Sequence, residues 1–278
     1  MKEILLETRN LCCSYETSKN ALQDVSVQIR TGEKIAVLGS NGAGKSTFFL
    51  SLNGILKPRS GEVLLRGKKI SHDRKSLLEL RKQVGIVFQD PDNQIIASTV
   101  MGEISFGPMN LRLPEKEVRR RTEEAMAYMN LSTYGDRSPH YLSGGEKKRV
   151  SIADIIAMKS EILLFDEPTA SLDPKNAALL EDTLTRLSRD GNTILLSTHD
   201  VDFAFRWANR ILVFHQGRLL GDGPPEQIFS DSSLLAEASL KRPVLFQVAE
   251  LLKEKGIIPA FSEEQPHPSD LEQLRKLL

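Results

Sequence analysis

One stretch limits the possible folds more than any other. An apolar run of strand length, Lys34-Ile35-Ala36-Val37-Leu38, leads directly into Gly39, Ser40, Asn41, Gly42, Ala43, Gly44, Lys45, Ser46 and Thr47. The spacing is that of a phosphate-wrapping loop. Successive backbone N–H groups must turn toward anionic oxygens, and glycine is needed where a side chain would collide. A helix from Lys45 to about Asn53 follows, and its N-terminus adds positive dipole. Such a loop works only between a buried strand and a helix, so the chain must be α/β. Lys45 would reach the terminal phosphates, Ser46 would ligate Mg²⁺ and Thr47 would add a phosphate contact.

A second motif lies far downstream. Ile162-Leu163-Leu164-Phe165 reads as a buried strand that ends in Asp166 and Glu167. The C-terminal edge of a parallel sheet is where α/β proteins bind ligands. Asp166 would hold Mg²⁺ through water, and Glu167 would act as general base toward an attacking water. Between the two lies Leu142-Ser143-Gly144-Gly145-Glu146, just before the apolar-periodic Val150, Ile152, Ala153, Ile155 and Ile156. This is a helix start with a hydroxyl and bare N–H groups, an anion receptor by geometry and dipole.

Along the chain, residues 3–13 and 22–30 alternate like strands, and 62–65, 84–88, 161–165, 193–197, 210–214 and 217–220 read as further strands. Helical patterns fall at 75–82, 175–188 and 201–207. From about 89 to 158 helices dominate, with Glu115 to Met129 the clearest. Strands alternating with helices indicate a parallel sheet with crossovers. After Gly223-Pro224-Pro225 the sequence becomes a helical tail, with an amphipathic helix expected over 243–254 and poor order over 260–269.

Composition narrows the function. Lys+Arg and Asp+Glu are both 37 among 278 residues, so the formal net charge is zero, unlike the basic excess of a dedicated nucleic-acid binder. The adjacent Cys12 and Cys13 read as small residues on an early strand. No apolar run approaches the ~20 residues that span a bilayer, and the first residues lack a signal-peptide core. The expectation is a cytosolic protein, or one docked peripherally on the cytoplasmic face of the cell membrane.

With these motifs in this order, residues 3–225 resemble the ATPase subunits of ABC transporters. The resemblance implies a P-loop NTPase (RecA-like) core with an N-terminal antiparallel β subdomain and an α-helical subdomain inserted at about 90–158. A C-terminal helical extension would cover 226–278. It implies ATP and Mg²⁺ as cofactors. Tyr15 would stack on adenine, Gln89 would touch Mg²⁺ and water, and His199 would contact the γ-phosphate. Ser171-Leu172-Asp173 would cross a dimer interface. Ser143, Gly144 and Gly145 would complete the nucleotide site of a second ATPase subunit, most simply in a homodimer.

Within this family, Gln89-Asp90-Pro91-Asp92-Asn93-Gln94 and Phe106-Gly107-Pro108 look like the cobalt and energy-coupling-factor importers. That implies transmembrane coupling and substrate-binding subunits as partners, cobalt as cargo, and nickel or a vitamin as alternatives. Residues 90–110 would line the groove for the membrane subunit. Asp154 departs from the branch, which usually has a small residue there; its carboxylate could alter a helix contact or pair with a base. His72, Asp73 and His267 read as surface residues. ABC proteins of chromosomes carry long coiled coils and those of translation carry two cassettes; this chain has neither. A regulatory ATP-binding module without transport stays open.

Overall fold

The strand preceding the glycine loop lies inside the larger of two sheets. The computed structural model describes residues 2–15, 21–170, 172–259, 261 and 267–278; Ser171 and most of the 260–269 stretch lie outside them. The chain opens with strands β1 (Ile4–Cys13), β2 (Leu22–Arg30) and β3 (Lys34–Leu38), then helix α1 (Lys45–Leu52). Next come β4 (Ser60–Leu65), β5 (Lys68–Lys69), α2 (Arg74–Gln83) and β6 (Val84–Val87). Helices α3 (Val100–Asn110), α4 (Glu115–Tyr128) and α5 (Gly144–Met158) follow without an intervening strand.

The second half alternates. It runs β7 (Ile162–Phe165), α6 (Pro174–Arg189), β8 (Thr193–Ser197), α7 (Val201–Trp207), β9 (Arg210–His215) and β10 (Arg218–Gly223). It closes with α8 (Pro225–Ser230), α9 (Ser232–Glu237), α10 (Val244–Glu254) and α11 (Leu271–Leu277).

The smaller sheet has the order β2-β1-β4-β5 and is antiparallel throughout. The larger has the order β10-β9-β3-β8-β7-β6. It is parallel except for β10, which joins β9 as an antiparallel edge. Strands buried on both faces carry continuous apolar runs, and every residue of β6, β7 and β8 is buried. Because these strands are parallel, the C-terminal ends of β3, β6, β7 and β8 open on one edge of the sheet. That edge receives Gly39, Gln89, Asp166 and His199.

Three cores hold the sheet. One lies toward the antiparallel sheet and α1, with Phe48, Phe49 and Phe214 at its centre. A second packs α3–α7 against the other face through Val150, Ile152, Phe165 and Trp207. A third joins α7–α10 to β3 and β9 through Phe205, Phe229 and Phe246. The tail helices therefore start as part of the main body. His267, expected at the surface, is instead packed: its ring stacks on Phe246 at 4.3 Å and its Nε2 lies 2.8 Å from Glu250 Oε1. An isolated histidine between prolines gives no local sign of such a long-range aromatic contact. Cys12 and Cys13 are free thiols on β1, Cys13 buried.

Candidate active site

The glycine loop is shaped by what surrounds it. At Gly39 a Cβ would stand 2.4 Å from the Phe214 carbonyl oxygen, and at Gly44, with φ 109°, 2.8 Å from the Ala21 carbonyl. Neither neighbour is a flexible side chain, so these positions need glycine. The loop, β-strand ends and first residues of α1 enclose a cleft of about 370 Å³. Tyr15, Asn41, Gly42, Ala43, Gly44, Lys45, Ser46, Thr47, Gln89, Glu167 and His199 all line it. Residues as far apart in sequence as Tyr15 and His199 thus line one cleft, while Gly39, Ser40 and Asp166 are not among its walls. Tyr15 is half exposed, and its hydroxyl lies 3.3 Å from Thr47 Oγ1. The ring stands beside the loop as part of the cleft wall.

Lys45 is buried, and its ammonium donates to the Gly39 carbonyl at 2.7 Å. Glu167 is also buried. Its Oε1 lies 3.4 Å from Lys45 Nζ and 3.0 Å from His199 Nδ1, an ion pair in which no hydrogen bond is well aligned among the described residues. Burial pushes the Glu167 carboxyl above its ordinary range, and the Lys45 and His199 charges pull partly against this. Glu167 adopts φ 44°, a left-handed conformation that costs a side-chain-bearing residue about 1–2 kcal/mol. Strain of this kind concentrates at functional sites.

Sequence reading missed the residue that supports this corner. Ser197, at the end of β8, is fully buried. Its hydroxyl donates to Asp166 Oδ1 at 2.6 Å and accepts the Glu167 N–H at 2.8 Å. The parallel pairing of β7 with β8 creates the contact; only the place of Ser197 two residues before His199 hinted at it. Asp166 is buried behind the cleft wall. Ser46, Gln89 and Asp166 offer a hydroxyl, an amide oxygen and a carboxylate, an all-oxygen donor set of the kind Mg²⁺ takes.

Ser143, Gly144 and Gly145, the signature segment at the start of α5, and Asp173 do not line this cleft. Ser143 is the N-cap of α5 in a reciprocal capping box: Glu146 N–H donates to its Oγ at 3.3 Å and Ser143 N–H donates to Glu146 Oε2 at 2.7 Å. The hydroxyl is therefore already engaged, which the expectation of a bare helix start did not foresee. The N–H groups of Gly144 and Gly145 make no hydrogen bond among the described residues, and Gly144 faces open space. Asp173 caps α6 by accepting from Asn176 N–H at 3.0 Å and from its side-chain amide at 2.6 Å. The Asn176 amide in turn fills the space a side chain at Gly145 would need.

A second concavity, about 910 Å³, opens between the sheet side and the helical insertion. Ile55, Leu78, Phe88, Gln94, Phe106 and Asp154 are among its walls. Ile95 packs into the core, whereas Ile96 is 71% and Phe106 47% exposed. Asp154 pairs with no base: its Oδ1 is buried without a partner. Burial pushes its carboxyl up to about 7, with the nearby Glu103 charge adding to the push.

With the site built, similarity to known proteins can be placed on it. A family model described as ABC transporter matches residues 22–170. The chain is 45% identical over 255 residues to the energy-coupling factor transporter ATP-binding protein EcfA of Methanocaldococcus jannaschii, covering 92% of this chain and 91% of that protein. It is 46% identical over 251 residues to the protein of the same name from Methanococcus maripaludis, covering 90% of each. Among solved structures, cbiO1 from Clostridium perfringens, described as part of the ABC transporter complex cbiONQ, superposes with a TM-score of 0.75 at 36% identity. That match covers 91% of this chain and 100% of the other. An ATP-binding cassette solved as a dimer in a post-hydrolysis state with ADP and Pi gives 0.72 at 29% identity, covering 80% of this chain and 99% of that one. The chain therefore belongs to the ATPases of ABC transporters, on their energy-coupling factor branch.

Proposed function

We propose that this chain binds and hydrolyses ATP to power a membrane importer, acting as a homodimer whose two sites are each completed by the partner copy. One observation carries the reading. The cleft gathers the glycine loop, Gln89, Glu167 and His199, while the Gly144 and Gly145 N–H groups lie outside it with no hydrogen-bond partner among the described residues. Two copies related by a two-fold axis can place each signature against the other's cleft, because such an interface is self-complementary.

In this reading the Gly39–Thr47 loop wraps the phosphates, Lys45 neutralises their charge and Tyr15 stacks on adenine. Mg²⁺, held by Ser46 and Gln89 and through water by Asp166, would supply charge neutralisation when bound. A water oxygen attacks the γ-phosphorus, the bond to the bridging oxygen breaks, and ADP leaves with phosphate. Glu167 takes the proton; a buried acceptor with no aligned donor suits that role. His199 contacts the γ-phosphate. Gly144 and Gly145 N–H groups from the second copy, with the Ser143 helix start, add positive dipole where charge builds. Asp173 would lie at the same interface.

The groove walled by Phe88 and Phe106 would receive a cytoplasmic helix of a membrane subunit. It is continuous with the Gln89 loop, so occupancy can reach the cleft. Among the described residues no helix is long and apolar enough to cross a membrane; the groove would serve peripheral attachment at the cytoplasmic face. The Gln-Asp-Pro-Asp-Asn-Gln and Phe-Gly-Pro segments favour cobalt as cargo. Uptake of labelled cobalt, nickel and a vitamin by cells expressing the complex decides among them.

Glu167→Gln tests the chemistry. It should retain ATP binding, accumulate an ATP-bound dimer in size-exclusion chromatography and lose turnover by about 10²-fold or more. Normal turnover would show that Glu167 is not the base.

A further inference from the structure

Lys148 is a buried cation that the hydrolytic scheme above leaves without a task. It lies on α5, little more than one turn beyond the Ser143 cap, and is 3% exposed. Its ammonium donates to the backbone carbonyls of Phe88 at 2.9 Å and Gln89 at 2.6 Å. The neighbouring Lys147 reaches the same segment from its other end, with Nζ 2.6 Å from Asp92 Oδ1. Two successive side chains of the signature helix therefore strap down residues 88–92. The Gln89 side chain itself stays exposed on the cleft wall, so only the backbone beneath it is fixed.

This arrangement is costly and specific. Lys148 is buried, and its ammonium's hydrogen-bond partners among the described residues are these two backbone carbonyls. A desolvated ammonium is disfavoured unless its bonds serve some purpose. What the lysine joins are two segments with different assignments: α5 begins at the element offered to the partner copy, and the Gln89 loop serves the chain's own nucleotide.

We propose that Lys148 is a positioning residue that locks the Gln89 loop to the signature helix, so that engaging the partner's nucleotide sets Gln89 in the chain's own site. The inference rests on the reading of Gln89 and the signature given above. It makes the two sites of a dimer interdependent through one rigid body in each copy. Nucleotide affinity of a single copy does not depend on the lock; turnover does.

A double-mutant cycle on the full chain tests it. Lys148→Met should keep nucleotide affinity and lower kcat by about 10-fold or more, since small misplacements of catalytic groups carry penalties of that size. Lys148→Gln, which retains N–H donors, should keep most of the turnover. In a Gln89→Ala background Lys148→Met should cause no further loss, because the residue acts through Gln89. Equal fractional losses in both backgrounds would overturn the proposal, as would equal damage by Lys148→Met and Lys148→Gln. Normal turnover in Gln89→Ala alone would remove the role of Gln89 and the lock together, and so separates that failure from a failure of Lys148.

Discussion

At the residue scale, the site is held by side chains whose partners come from other strands and helices. Ser197 serves Asp166 and Glu167 at once, and it does so only because β7 and β8 pair in parallel register. Asp154 shows the opposite case, a carboxyl buried with an unpartnered oxygen beside a groove. Its folded pKa, about 7, lies above the ordinary 3.8. The folded state therefore holds this proton more tightly than the unfolded chain does. Stability is least affected below pH 4, falls as pH rises from about 4 to about 7, and stays reduced above. The penalty is at most roughly 4 kcal/mol at pH 8. Asp154→Asn should raise the melting temperature at pH 8 and change it little at pH 4; an equal shift at both pH values would contradict a charge-burial cost. Sequence alone singled out Asp154 as a departure, but the absence of a nearby base and the proximity of Glu103 depend on how α3 meets α5.

At the scale of elements, most of the core was legible because its signals are local. The apolar runs of β6, β7 and the middle of β8 and the glycines before α1 all act within a few positions of where they stand. The glycine loop and acid-ended strand were readable for the same reason. The Lys148 strap and the packing of His267 were not, since each joins segments 17 to 60 residues apart. The same limit applies to α3 and α5, whose contact needs a glycine: a Cβ at Gly107 would stand 2.5 Å from Met158 Cγ and 3.2 Å from Asp154 Oδ1. Gly107→Leu should wedge these helices apart and cost about 1–3 kcal/mol in thermal unfolding, the usual range for overpacking. It should also weaken capture of membrane subunits from detergent extracts while nucleotide binding persists. Unchanged stability would mean that α3 and α5 are not in close contact at this point.

At the scale of the whole molecule, the proposed function gives one chain two unlike halves of a catalytic site. The signature does not line the cleft, and its Gly144 and Gly145 N–H groups make no hydrogen bond among the described residues. A two-fold dimer resolves both. Its most direct test uses two inactive variants, Lys45→Ala, which lacks the phosphate-binding lysine, and Ser143→Arg, which blocks the signature. Each alone should be nearly inactive. Mixed in equal amounts, they should form heterodimers in which one site joins an intact loop from the Ser143→Arg chain to an intact signature from the Lys45→Ala chain. ATPase activity should rise above that of either variant alone, to at most about a quarter of the unmodified level, since half the dimers are mixed, each holds one sound site, and the chain supplying that site's Gln89 has a blocked signature. If the mixture forms mixed dimers yet hydrolyses no more ATP than either variant alone, the sites are not completed in trans and the central claim is wrong.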